Sequence, residues 1–136
     1  MRNPRIERAA NLGDHVVTAF EDQDVIRSYG HRPPYALEVF AILCELSAGS
    51  PRAVLDVGCG RGELARPLAA HVERVDAADR STAMIEAGRA APGGTAPNLR
   101  WIVGQVKDAP LNPPYSLITG RRSLHWMDWE RIFPRF

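Results

Sequence analysis

Apolar positions change their period several times along the chain, and the changes delimit its elements. Behind the turn-forming pair Pro33-Pro34, residues Leu37, Phe40, Ile42, Leu43, Cys44 and Leu46 recur at helical spacing. This predicts an amphipathic helix over residues 35–48, laid on a sheet. The run Ala53-Val54-Leu55-Asp56-Val57 is short and apolar and stops at Gly58-Cys59-Gly60-Arg61-Gly62, as a buried strand entering a tight turn does. A helix is expected over about residues 63–70. Pro67 predicts a kink or a late start there, because an interior proline removes one hydrogen bond and crowds the preceding turn. Residues 72–78 form the next strand candidate. Ser81 is placed to cap a helix running through Met84, Ile85 and Ala87 towards the breaker Pro92-Gly93-Gly94. Leu99-Arg100-Trp101-Ile102-Val103 makes a third strand and residues 115–119 a fourth. Residues 105–114 hold three prolines and no helical period, which predicts a loop crossover, and a last helix begins at about residue 128. The alternation of strands and helices specifies an α/β fold.

Composition narrows this pattern to one domain. The chain has 136 residues, 45% hydrophobic and 24% charged, enough to sustain a core without disulfides or metal. Residues 1–28 are read as a partly helical N-terminal extension and residues 29–136 as the domain. Seventeen Lys and Arg against sixteen Asp and Glu give a net charge of +1, without the basic excess of a nucleic-acid or anionic-membrane binder. Cys44 and Cys59 form no CxxC pair and lie near no histidine at metal-ligand spacing. A reduced, cytoplasmic setting and no metal are expected. Residues 1–14 contain no apolar run of signal-sequence length, and nothing later approaches a membrane span.

The chemistry concentrates between Val54 and Asp79. A parallel strand ending in glycines lets a ligand approach backbone N–H groups closely, and the helix that follows turns its partial positive charge to an anionic group. Asp79 closes the next strand 17 residues beyond Gly62, near the spacing at which a carboxylate grips a ribose diol. Together these features predict a nucleotide-cofactor site. The glycines fall as GxGxG, with Glu63 where a dinucleotide fingerprint, GxGxxG, requires its third glycine, and this disfavours NAD and FAD.

The segment Val54-Leu55-Asp56-Val57-Gly58-Cys59-Gly60-Arg61-Gly62 resembles the first motif of the class I S-adenosylmethionine-dependent methyltransferases. Asp79-Arg80-Ser81-Thr82-Ala83-Met84 resembles their second motif. Asn98 to Val106 is similar to their third strand and adenine-binding turn, and Tyr115-Ser116-Leu117-Ile118 to their fourth strand, which usually carries Asp where Ser116 stands. Residues 29–35 together with His125-Trp126-Met127-Asp128-Trp129 are similar to the small-molecule branch that includes trans-aconitate methyltransferase-like proteins.

The resemblance implies a Rossmann-like parallel sheet with flanking helices, comprising the first four strands, in order 3-2-1-4, of the class I methyltransferase fold. It also implies S-adenosyl-L-methionine as cofactor and a small-molecule methyl acceptor as partner. Carried over by residue, Gly58 and Gly60 would meet the methionyl and ribose portion of the cofactor, and Asp79 the ribose hydroxyls. The Val106 N–H and the Gln105 amide would meet the adenine edge, Arg80 would lie over the base, and Asp56 would orient the glycine turn. Arg32 would sit near the cofactor carboxylate, with Tyr29 and Tyr35 closing over it, or all three would pack the entry to the first helix. His125 and Trp126 would face the acceptor or anchor the last helix. His125 is the candidate base for a hydroxyl or amine acceptor, whereas a carboxylate acceptor needs none.

Plainer roles are expected for two further residues. Cys59 is read as packing in the turn, with no adjacent base to activate it, and Asp76 as a strand-end or solvated carboxylate. Sheets of this family usually have seven strands, so the length predicts a chain truncated after the fourth. The alternative is a chain that covers the exposed fourth-strand edge by self-association. Two other functions stay open: a catalytically silent cofactor-binding or interaction module, and a nicotinamide-dependent oxidoreductase fragment.

Overall fold

The computed structural model describes residues 35–120 and 127–136. The elements are α1 (Leu37–Leu46), β1 (Ala53–Val57), α2 (Ala65–Leu68), β2 (Arg74–Asp79), α3 (Thr82–Ala90), β3 (Leu99–Val103), β4 (Leu117–Thr119) and α4 (Trp129–Ile132). A 3-10 turn over Phe133–Arg135 follows α4. The four strands form one sheet in the order β3-β2-β1-β4, every pair parallel. This is the expected order 3-2-1-4. β1 is buried at all five positions, as a central parallel strand covered on both faces must be.

One face of the sheet carries Val54, Val75, Ala77 and Leu99, which pack with Leu64, Ala65 and Leu68 around α2 and with Ile85 of α3. The other carries Leu55, Val57, Ala78 and Ile102. It is covered by Val106 and Ala109 of the β3–β4 crossover and by Ile132 of α4.

Local chemistry accounts for the boundaries. Ser81 accepts the Met84 N–H at 3.2 Å, capping α3 as its position predicts. α2 is shorter than expected and starts late. Pro67 falls in its first turn, where a backbone N–H has no intrahelical acceptor to lose, and the ladder resumes at Leu68 and Ala69. The fourth strand begins at Leu117 rather than at residue 115. Ser116 donates both its N–H and its hydroxyl to the carbonyl of Ala53, and this double bond to one oxygen closes the ladder at that end.

α1 departs further from expectation. Val39, Phe40, Leu43 and Cys44 pack on the core, but no residue of the helix is fully buried and Leu37 is 83% exposed. The apolar set spans a wider arc than the neighbouring α2 covers. Arg52 ties its C-terminal end to β1, donating to the Cys44 carbonyl and to Ser47 Oγ, where a cation also suits the helix dipole.

Asp76 corrects the reading of a solvated carboxylate: it lies mid-strand and 0% exposed. In the β2–β3 register it stands opposite Arg100, whose Nε and Nη2 reach its two oxygens at 3.1 and 2.9 Å, and the Tyr115 hydroxyl donates to it at 2.7 Å. A carboxylate can be buried when it is paired and hydrogen-bonded in this way.

Trp101 is wedged between the glycine turn and α3, and its Nε1–H donates to the Gly94 carbonyl at 2.8 Å. A Cβ on Gly88 would lie 2.4 Å from the Trp101 ring and 2.7 Å from the Arg61 carbonyl. Since neither neighbour can yield freely, Gly88→Ala is expected to destabilise the fold by about 1–3 kcal/mol, the range for overpacking. Urea denaturation checks this against the exposed Glu86→Ala, expected within about 0.5 kcal/mol of the parent.

Candidate active site

The strands end together at the carboxyl edge of the sheet, and the turn after β1 is built there by conformational demand. Gly58, Gly60 and Gly62 have φ of 66°, 57° and 77°, which residues with a Cβ rarely adopt. Backbone bonds fix the turn: Cys59 N–H to the Ala78 carbonyl of β2 at 3.0 Å, Gly62 N–H to the Cys59 carbonyl at 2.9 Å, and Arg66 N–H to the Gly62 carbonyl at 2.8 Å. At Gly62 a Cβ would also strike the Trp101 ring at 2.5 Å. At Gly60 it would meet only Glu63 Oε2, at 3.9 Å, so the space before Gly60 is open.

Asp79 joins this turn to the next. One carboxylate oxygen accepts the Gly60 N–H and the other the Ser81 N–H, both at 2.8 Å. Two oxygens offer about four acceptor directions, so each keeps capacity for a ligand hydroxyl. Burial pushes the Asp79 carboxyl up, opposed by the Ser81 and Gly60 N–H groups and by nearby Arg80. Arg80 itself is exposed.

A cleft opens at this point, lined by Tyr35, Asp56, Gly58, Cys59, Gly60, Glu63 and Leu64. Asp56 is 3% exposed and accepts the Thr119 hydroxyl at 2.9 Å. Tyr35 stands at the cleft with its ring edge-on to Phe40. Cys59 is buried in the core, and its thiol is held well above its ordinary value, first by burial and then by Asp56, Asp79 and Glu63. Burial and the neighbouring carboxylates thus disfavour its thiolate.

Beyond β3, the Gly104 N–H donates to the Asp79 carbonyl at 2.9 Å, joining the third strand end to the second. Residues 105–109 then form a single turn in which the Gln105 carbonyl accepts the Asp108 and Ala109 N–H groups, each at 2.9 Å. The Gln105 side chain is exposed and Val106 buried, and the Val106 N–H has no backbone acceptor among the described residues. Thus Asp56, Gly58, Cys59, Gly60 and Asp79 meet at one edge, flanked by Tyr35, Arg80 and the 105–106 turn. Tyr29, Arg32, His125 and Trp126 lie outside the described residues. Sequence reasoning passed over Trp101, whose only signal was a bulky ring among glycines, and the tether from Asp79 to Gly60.

Residues 54–136 match the family described as Methyltransferase domain. Among solved structures, the chain is similar to a protein from Anaeromyxobacter dehalogenans assigned as a type II methyltransferase. The identity is 29% over 76% of this chain and 42% of that one, with a TM-score of 0.62. It is also similar to the CcbJ methyltransferase of Streptomyces caelestis, at 27% identity over 74% of this chain and 43% of that one, TM-score 0.59. Phosphoethanolamine N-methyltransferase 1 of Haemonchus contortus, solved with phosphoethanolamine and S-adenosylhomocysteine, shares the fold alone at 13% identity. There the match covers 94% of this chain and 28% of that one, TM-score 0.60. The chain spans less than half the length of these solved relatives. No curated protein matches it.

The raised Asp79 carboxyl has a consequence for stability. Ionisation is harder in the folded chain than in the unfolded one, so the Asp79 contribution to stability declines as pH rises from the ordinary carboxylate range through the higher folded value. Urea denaturation of the parent and Asp79→Asn between about pH 4 and pH 7 tests this. The stability of the parent relative to the variant is expected to fall with rising pH and then level off. A difference that rises or stays flat refutes it.

Proposed function

The chain belongs to the methyltransferase-domain family, and from that premise we propose that it binds S-adenosyl-L-methionine at the carboxyl edge of β1 and β2 and serves methyl transfer to a small-molecule acceptor. The observation that carries this reading is the direct bond between Asp79 and Gly60 beside an open space, a half-buried carboxylate with spare acceptor capacity next to a glycine whose missing Cβ leaves room for a ligand. In this reading Asp79 accepts the ribose hydroxyls, Gly58 and Gly60 offer backbone to the methionyl portion, and the Val106 N–H and Gln105 amide face the adenine edge. Gln105 can accept from the adenine amine through its side-chain carbonyl, and Arg80 would lie over the base, where a guanidinium can stack.

When bound, the cofactor supplies a methyl group on a sulfonium, ready for in-line displacement. What remains for the chain is alignment and exclusion of water. In this reading Arg32 serves the cofactor carboxylate, and Tyr29, Tyr35 and Trp126 are the candidates for the acceptor side, Tyr35 lining the cleft. His125 takes the proton if the acceptor is a hydroxyl or amine. A net charge of +1 supports a small acceptor over nucleic acid. Free Cys44 and Cys59 suit a reducing cytoplasm, and no helix among the described residues is long and apolar enough to cross a membrane. β4 has a strand partner on one side only among the described residues, and we extend the reading to self-association through its outer edge. Sedimentation at rising concentration is expected to give a dimer, and a monomer throughout would exclude it.

Calorimetric titration with S-adenosylhomocysteine tests the cofactor site. Micromolar binding is expected, weakened in a folded Asp79→Ala variant by about 1–3 kcal/mol, as for a lost hydrogen bond to a charged group. Absence of binding by the folded parent would sink the proposal. Binding without turnover across carboxylate, hydroxyl and amine acceptors would favour a silent cofactor-binding module.

A further inference from the structure

Two polar anchors grip the crossover between β3 and β4 from opposite ends, and the cofactor reading leaves both unused. At the near end, Arg135 in the final 3-10 turn donates through Nη1 to the Val106 carbonyl and through Nη2 to the Ala109 carbonyl. These are groups of the same turn that holds Gln105. At the far end, buried Asp76 accepts the Tyr115 hydroxyl at 2.7 Å, and that hydroxyl oxygen accepts the Asn112 N–H at 2.7 Å. The Asp76 partner Arg100 also donates from Nη2 to the Pro110 carbonyl at 2.9 Å. Arg74 lies 5.5 Å from the Tyr115 ring centre and donates to the Asn112 carbonyl at 2.6 Å.

Residues 104–116 contain no helix or strand, so without such bonds the backbone of this segment would sample many conformations. The anchors take up the carbonyls of residues 106, 109, 110 and 112 and the N–H of residue 112. They leave the Val106 N–H, which has no backbone acceptor among the described residues, directed by a turn that is fixed on its carbonyl side.

We infer that this two-ended clamp makes the crossover a preformed wall of the adenine subsite, with Arg135 and Tyr115 as positioning residues that hold the Val106 N–H for the base. The inference rests on the cofactor reading above and adds to it a source of base selectivity. A fixed N–H donor suits a ring nitrogen that is an acceptor, as in adenine, and opposes one that carries a proton, as in hypoxanthine. A loose turn would swing away and discriminate less.

The test compares S-adenosylhomocysteine with S-inosylhomocysteine, its hypoxanthine counterpart, by calorimetry on the full chain and on Arg135→Ala, Arg135→Lys and Tyr115→Phe. Amide hydrogen exchange is followed in parallel. In Arg135→Ala the adenine ligand is expected to weaken about three- to tenfold, the factor for one neutral hydrogen bond, and the hypoxanthine ligand much less. Preference for adenine thus narrows. Arg135→Lys restores part of it, Tyr115→Phe narrows it with the ring retained, and exchange of amides 106–112 rises while that of β1 and β2 stays unchanged. Equal weakening of both ligands, tracking the loss of thermal stability, would reduce both residues to structural roles and overturn the inference. So would unchanged exchange in the crossover. A folded parent that binds neither ligand overturns the cofactor reading and the assignment to adenine with it, whereas the exchange contrast separately decides whether the anchors hold the segment.

Discussion

Both oxygens of the Asp79 carboxylate accept backbone N–H groups, one from Gly60 in the turn after β1 and one from Ser81 at the start of α3. Much of the carboxyl edge follows from that pair of bonds. The turn after β1 needs positive φ at three glycines, a conformation with high entropy to lose on folding, and an external acceptor for Gly60 offsets part of that loss. Ser81, held through its N–H, is then free to present its hydroxyl to Met84 and start α3. Burial opposes ionisation of Asp79 while the two N–H groups favour it, so the carboxylate is sustained by the backbone it organises.

Behind this edge the sheet brings the turns together by close approach. Trp101 on β3 reaches under both the glycine turn and α3, and its ring occupies the volume that side chains at Gly62 and Gly88 would need. Bulk on one strand is thus matched by absence on two neighbouring segments. The register β3-β2-β1 carries this arrangement from strand to strand, since Asp79 stands opposite Val103 and Val57 opposite Ala78, which keeps the strand ends level.

The second face is organised by polar groups as well as apolar ones. A fully buried Asp76 bound to Arg100 and Tyr115 is not an economical way to stabilise a core, because desolvation of both charges can outweigh their attraction. Its effect here is directional. It ties an irregular, proline-containing crossover to the middle of β2, where apolar packing alone would hold the segment without fixing its path. Rigid support of this kind would suit the proposed methyl transfer, which works by alignment and leaves a protein little covalent chemistry of its own.

Strand β1, the glycine turn, the Ser81 cap and strand β3 were legible in the sequence because each follows from local rules, namely apolar runs, glycine spacing and a capping hydroxyl. The strand order 3-2-1-4 came from the family resemblance, and the structure has that order. Of the candidate site residues, Gly58, Gly60 and Asp79 lie at strand ends that the pattern marks, whereas Asp56 entered through the resemblance. Asp76 was misread because nothing local distinguishes a solvated carboxylate from a buried one. Its partners Arg100 and Tyr115 stand 24 and 39 residues away and become neighbours only through register and the return of the crossover. The exposed flank of α1, the wedge of Trp101 and the hold of Arg135 on the Val106 turn are of the same kind. The sequence by itself determined which segments form strands, turns and helices and which cofactor chemistry their ends resemble, because those depend on interactions within a few residues. Only the tertiary structure decided which charges are buried and what holds the crossover in place, because those depend on which distant groups the packed sheet brings within hydrogen-bond reach.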